Sequence, residues 1–102
     1  YRKRTGERHE LDLNILKKGR LRIGKEKSTV DYFIMDNPAI SRHHADIVTH
    51  DSEYYIVDTH SLNHTRINNR LLGSDIEYPL HDGDVVTLAD EDFIFQIERE
   101  FH

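Results

Sequence analysis

The sequence predicts an all-β sandwich of short strands folded as one domain. Apolar residues recur at every second position in short runs, the period of a half-buried strand. The runs are separated by Gly, Asp, Asn, Ser or Pro at the spacing of tight turns, which favours a sandwich over a helical or α/β arrangement. Helical periodicity is nearly absent. Only residues 70–78 show it in part, and Gly73, Ser74 and Pro79 interrupt them, so no helix longer than a turn is expected.

Taken in order, residues 1–8 are polar and basic with Gly6 in their midst, and read as a frayed lead-in or linker, with the single domain occupying 9–102. Leu11, Leu13 and Ile15 alternate as a first strand, and Lys17-Lys18-Gly19 supplies the turn that ends it. The alternation returns at Leu21 and Ile23, at Ala45, Ile47 and Thr49, and at Tyr55 and Val57. Late in the chain it recurs at Val85 and Thr87, then at Phe93, Phe95 and Ile97. No internal repeat or low-complexity segment is present.

Composition narrows the class of function. The 102 residues suffice for one core, burying roughly 60–65% of the unfolded surface. With 14 basic and 19 acidic side chains the formal charge is −5, which argues against a nucleic-acid binder working through a broad basic face. The absence of cysteine removes disulfides and thiolate zinc sites. No apolar run approaches the roughly 20 residues that cross a bilayer, and no signal peptide is visible. The expectation is a cytoplasmic module without direct membrane contact, part of a larger polypeptide.

Three connections carry distinctive chemistry at strand ends, where a rigid sandwich displays function. In Arg22-Ile23-Gly24-Lys25 a glycine ends a strand and permits close backbone approach beside an ammonium group, although a turn glycine followed by a solvated lysine fits equally. In Asp36-Asn37-Pro38-Ala39-Ile40-Ser41-Arg42-His43-His44 a turn leads to a hydroxyl and a guanidinium, a pair suited to an anion. No Gly-x-Ser-x-Gly elbow accompanies Ser41, so a nucleophile–base reading lacks its context. His43 and His44 are adjacent in an extended segment and point to opposite faces, so they do not chelate one ion, and one of them faces inward. In the segment from Asp58 to Asn69, Asn63 offers donors and an acceptor for an extended peptide backbone, or an Asx turn. His60 and His64 have the spacing of a helical metal pair without a helix.

Together these segments resemble the forkhead-associated (FHA) family signature. Its elements correspond here to Gly24-Lys25, Ser41-Arg42-His43-His44, Ser61-Leu62-Asn63-His64-Thr65, Ile67-Asn68-Asn69 and the closing run from Leu80 through Gly83-Asp84 to Leu88. The resemblance spans roughly residues 9–98. It implies an FHA-type (SMAD/FHA-like) β-sandwich of about eleven short, mostly antiparallel strands in two sheets, with ligand loops at one end. It also implies phosphate contacts from Lys25, Ser41 and Arg42, and peptide-backbone contacts from Asn63 and Leu62. Gly24, His44 and Asn68 take loop-structuring roles. Lys25 stands where most members have arginine, Leu62 where a threonine is usual, and His64 and Asn69 where glycines are usual.

The resemblance therefore implies a non-catalytic signalling module that docks a phosphothreonine-containing protein, itself a Ser/Thr kinase substrate. No cofactor, metal, catalytic residue or nucleic-acid partner is expected. The alternative is a degenerate FHA domain that holds a partner or neighbouring domain without phosphate, through a sandwich face or strand edge. An exposed aromatic patch involving Tyr32 or Tyr54 would mark that alternative.

Overall fold

The computed structural model describes residues 1–9 and 19–97, and these form two β-sheets with no α-helix among them. The first sheet is ordered β2-β1-β3-β4-β7, from Tyr32–Phe33, Arg20–Gly24, Ala45–His50, Glu53–Asp58 and Tyr78–Leu80. The second is ordered β6-β5-β8-β9, from Arg70–Leu71, Thr65–Ile67, Val85–Leu88 and Glu91–Ile94. All pairings are antiparallel except the short β1–β2 pair, where Ile23 lies beside Tyr32.

The core lies between the sheets. Leu21 and Ile23 from β1, Ala45 and Ile47 from β3, and Ile56 from β4 face Val86 and Leu88 from β8 and Phe93 from β9. Ile34, Ile40 and Leu72 close it from the connecting segments. In β4 and β8 the buried set is one residue out of phase with the sequence expectation. Tyr54 and Ile56 pack inward rather than Tyr55 and Val57, and Val86 and Leu88 inward rather than Val85 and Thr87. Both strands are flanked on each side by another strand and are apolar at both parities. Alternation alone therefore does not fix which face is inner.

Nine strands are found among the described residues, against about eleven expected. The Leu11-Leu13-Ile15 run lies outside the described residues. Phe95 and Ile97 do not prolong β9, because their amides turn to the β7–β8 connection. Phe95 N–H donates to the Asp84 carbonyl at 2.9 Å, and Ile97 N–H to the Asp82 carboxylate at 2.7 Å. Residues 70–78 carry β6 and a turn, and no helix.

Residues 1–8, expected as a frayed lead-in, hold one of the buried charges. Tyr1 exchanges backbone hydrogen bonds with Ile94 at 2.7 and 2.8 Å, which lays the segment along the edge of β9. This brings Arg2, only 5% exposed, against Glu91. Basic composition hid this role, since one arginine among several cations in a polar run carries no periodic signal.

Strand polarity puts the ends of β1 and β4 and the starts of β3 and β5 at one end of the sandwich. The three chemically distinctive connections therefore converge there. The packing at that end makes a quantitative expectation. Leu88 pairs with Thr65 beside these loops and is 1% exposed, so Leu88→Ala should destabilise the domain by about 2–5 kcal/mol in urea unfolding.

Candidate functional site

Gly24 is the point of closest approach. A Cβ there would overlap the Arg42 carbonyl group, 2.6 Å from its carbon, and lie 3.0 Å from His43 Cα. The contact is backbone against backbone and no rotamer change relieves it. Because of that approach, Lys25 N–H donates to the Ser41 carbonyl at 3.1 Å and Glu26 N–H to the Arg42 carbonyl at 3.2 Å. The β1–β2 and β2–β3 connections are thus stitched together.

His44 performs the second stitch. It is fully buried, and its Nδ1 accepts from Ser41 N–H at 3.0 Å while Nε2 lies 2.9 Å from the His64 carbonyl. A ring that accepts at Nδ1 and meets a carbonyl at Nε2 is neutral with its proton on Nε2. Burial, the largest influence, pushes its pKa below the ordinary value, and the His64 carbonyl and Asp58 charge oppose this only in part. His43, on the other face, bonds Asp46 at 2.5 Å.

Around these stitches the exposed groups gather. Ser41 Oγ accepts from Leu62 N–H at 2.9 Å, Asn63 Nδ2 donates to the Ala39 carbonyl at 2.8 Å, and Lys25 Nζ donates to the Pro38 carbonyl at 3.0 Å. Lys25, Leu62 and Asn63 thus attach to one short segment, residues 38–41. Arg42 follows it with its side chain 81% exposed, its Nε 3.8 Å from Glu26. Leu62 is equally open, at 81%. Asn68 is not part of this cluster. It lies at the far end of β5, where its Oδ1 accepts from Val85 N–H at 2.9 Å and its Nδ2 donates to Asp84 at 3.0 Å, fastening the β5–β6 turn to β8.

The histidine and asparagine found at family glycine positions both have left-handed backbones, with φ 69° at His64 and 70° at Asn69. Glycine is favoured at such positions because it has no Cβ to crowd the following carbonyl. His60 also adopts positive φ and pairs with Asp75. No cluster of three or more His, Cys, Asp or Glu able to hold a metal occurs among the described residues.

Sequence reasoning missed Asp58. Its carboxylate, 1% exposed, accepts from the hydroxyls of Ser61, Thr65 at 2.6 Å and Ser74 at 2.9 Å, and from Ser61 N–H at 3.2 Å. Burial alone would raise its pKa, and these donors outweigh it and hold the carboxyl below the usual range. Thr59 Oγ1 adds a bond to the His43 carbonyl at 3.0 Å. The sequence carried only a faint trace of it, an Asp followed by hydroxyls three and seven residues later, because alternation alone does not reveal that Asp58 lies on the inner face of β4.

The family model of the FHA domain matches residues 21–89. The chain belongs to the FHA domain family. It is 35% identical over 69 residues to the transcriptional regulatory protein EmbR of Mycobacterium tuberculosis, a match covering 68% of this chain and 17% of EmbR. The solved structure of M. tuberculosis EmbR in complex with a low-affinity phosphopeptide superposes with a TM-score of 0.71 at 33% identity, covering 82% of this chain and 21% of that one. The MEK1 FHA domain in complex with a HOP1 phosphothreonine peptide gives 0.69 at 30% identity, covering 83% and 86%. An FHA structure from work on phosphothreonine-dependent FHA domain interactions gives 0.71 at 27% identity, covering 83% of each chain.

Two expectations follow from the stitches. Gly24→Ala forces the two connections apart and should cost about 1–3 kcal/mol in denaturant unfolding. For His44 the unfolded chain takes up a proton near pH 6.5 while the folded chain resists it, so stability is complete above that value and declines as pH falls through it. His44→Asn should be less stable at neutral pH, with a flatter stability profile between about pH 7.5 and 5.5. The slope that remains is owed in part to His9, whose pKa is lowered by burial beside Tyr32. An unchanged slope would show that His44 is not the titrating group.

Proposed function

We propose that this FHA domain is a non-catalytic module that docks a phosphothreonine-containing segment of a partner protein. The observation that carries the reading is the Ser41 hydroxyl. Leu62 N–H occupies one of its lone pairs, and the O–H proton remains available to donate to a phosphate oxygen. Lys25 and Arg42 flank it with cationic donors, matched to a group carrying about −1.5 to −2 charges. Asn63 spends one amide proton on the Ala39 carbonyl and keeps its other proton and its carbonyl for the backbone of a bound peptide. The relatives named above that bind phosphopeptides support the same reading.

The phosphate-independent alternative draws on exposed Leu62, but its expected aromatic patch does not form. Tyr32 stacks on His9 at 4.2 Å and meets the edge of Phe93, and Tyr54 packs edge-on against Phe95. Both tyrosines belong to the periphery of the core. On this reading the partner is a substrate of a Ser/Thr kinase, and the domain serves signalling in the cytoplasm as part of a longer chain.

Titration with matched phosphothreonine, phosphoserine and unphosphorylated peptide pools tests the proposal. The phosphothreonine pool should bind best, more tightly above the phosphate's second pKa near 6, and more weakly as salt rises. Ser41→Ala and Arg42→Ala should each weaken binding by about tenfold, the loss of one charge-assisted hydrogen bond. Equal binding of all pools, or none, sinks the reading.

A further inference from the structure

Glu91 opens β9 on the same parity as core residue Phe93 and is 3% exposed. Such a carboxylate persists in its charged form only with partners, and it has three. Arg2 donates through Nε to Oε1 and through Nη2 to Oε2 at 2.9 Å, Arg4 Nε lies 3.1 Å from Oε1, and Asn37 Nδ2 donates to Oε2 at 3.0 Å. Arg2 also reaches Asp36 at 2.6 Å. Burial raises the Glu91 pKa, and the bonds from Arg2, Asn37 and Arg4 outweigh it and keep the group ionised.

The contact with Asn37 passes this order on to the candidate site. With Nδ2 committed to Glu91 and to Asp90 at 2.9 Å, the amide must turn its Oδ1 the other way, where it accepts from Ala39 N–H at 3.0 Å. The Ala39 carbonyl in turn receives Asn63, and the next residues are Ile40, buried in the core, and Ser41. A continuous set of hydrogen bonds therefore runs from Arg2 through Glu91 and Asn37 to the backbone two residues before the Ser41 hydroxyl.

We infer that Arg2, Glu91 and Asn37 are positioning residues that hold the 38–42 segment in its binding geometry, with Arg2 and Glu91 acting from outside the family-matched stretch 21–89. The effect on phosphopeptide affinity rests on the function proposed above, whereas the effect on the segment's order does not. A loop already fixed by such bonds does not lose that freedom on binding, so releasing it weakens the complex without removing any ligand contact.

The test uses Arg2→Met, which keeps the apolar stem, Arg2→Lys as the conservative rescue, and Asn37→Ala at a partly exposed side chain. Amide hydrogen exchange of Ala39, Ile40 and Ser41 is followed in the unliganded chain alongside amides of β3 and β4. Arg2→Met should speed exchange in the loop by about tenfold and leave β3 and β4 within about twofold, with Arg2→Lys intermediate. Phosphothreonine-peptide affinity should fall about fivefold to tenfold in Arg2→Met and in Asn37→Ala, and the double variant should be little worse than either single, as for residues acting through one path. Unchanged loop exchange in Arg2→Met, loosening spread equally over β3 and β4, or strictly additive losses would overturn the inference. If the parent chain binds no phosphopeptide, the proposed function fails alone, and loop exchange still decides the positioning role.

Discussion

The candidate site depends on one buried imidazole. His44 is the only group that touches both the segment carrying Ser41 and the segment carrying Leu62 and Asn63 through a single ring, among the described hydrogen bonds. It does so in the neutral form, with one nitrogen accepting and the other donating. Neither a carboxylate, which only accepts, nor an ammonium, which only donates, could replace it. The neighbouring constraint at Gly24 has a similar character. There the two connections meet backbone to backbone, so the position of Lys25 relative to Ser41 follows from the peptide chain itself rather than from a flexible side chain.

These two stitches work because the material behind them is rigid. Each sheet supplies one inward-parity carboxylate at the functional end, Asp58 at the close of β4 and Glu91 at the start of β9. Both are deeply buried, and both are surrounded by donors drawn from different segments. Asp58 gathers hydroxyls from Ser61, Thr65 and Ser74, and Glu91 gathers Arg2, Arg4 and Asn37. A buried charge with one partner is costly, whereas one that organises three or four donors converts the desolvation cost into a demand for a single loop geometry. No buried side-chain nitrogen or oxygen among the described residues lacks a partner, so neither network is half-satisfied.

How far the sequence was legible follows from the same chemistry. Period-two runs such as Leu21 and Ile23, or Ala45 and Ile47, reveal strands because one face is apolar and the other is not. Where both parities carry apolar side chains, as in Tyr54-Tyr55-Ile56-Val57, the strand is visible but its inner face is not. The candidate site was legible where a residue type has few structural uses in a given place. Gly24 before a cation and Ser41 beside Arg42 stand out, and adjacent histidines in an extended segment must diverge. Asp58, Glu91 and Arg2 were opaque because a buried charge looks like a surface charge until its partners are known. Those partners lie up to 89 residues away in the chain.

Lys25 shows how the local substitutions and the site geometry depend on one another. An arginine at this place would offer a planar fork, and holding the Pro38 carbonyl would use part of that fork at the expense of bidentate phosphate contact. An ammonium has three donors arranged around a point, so Lys25 can keep its 3.0 Å bond to Pro38 and still present protons to an anion. The lysine thereby braces the 38–41 segment as well as charging it. In a chain of net charge −5, distant attraction of an anion is weak, so under the function proposed above selectivity would fall to such short-range donors. Leu62 completes the trade. Its side chain offers no hydroxyl, but its backbone N–H occupies one lone pair of Ser41 Oγ and leaves the O–H proton available as a donor.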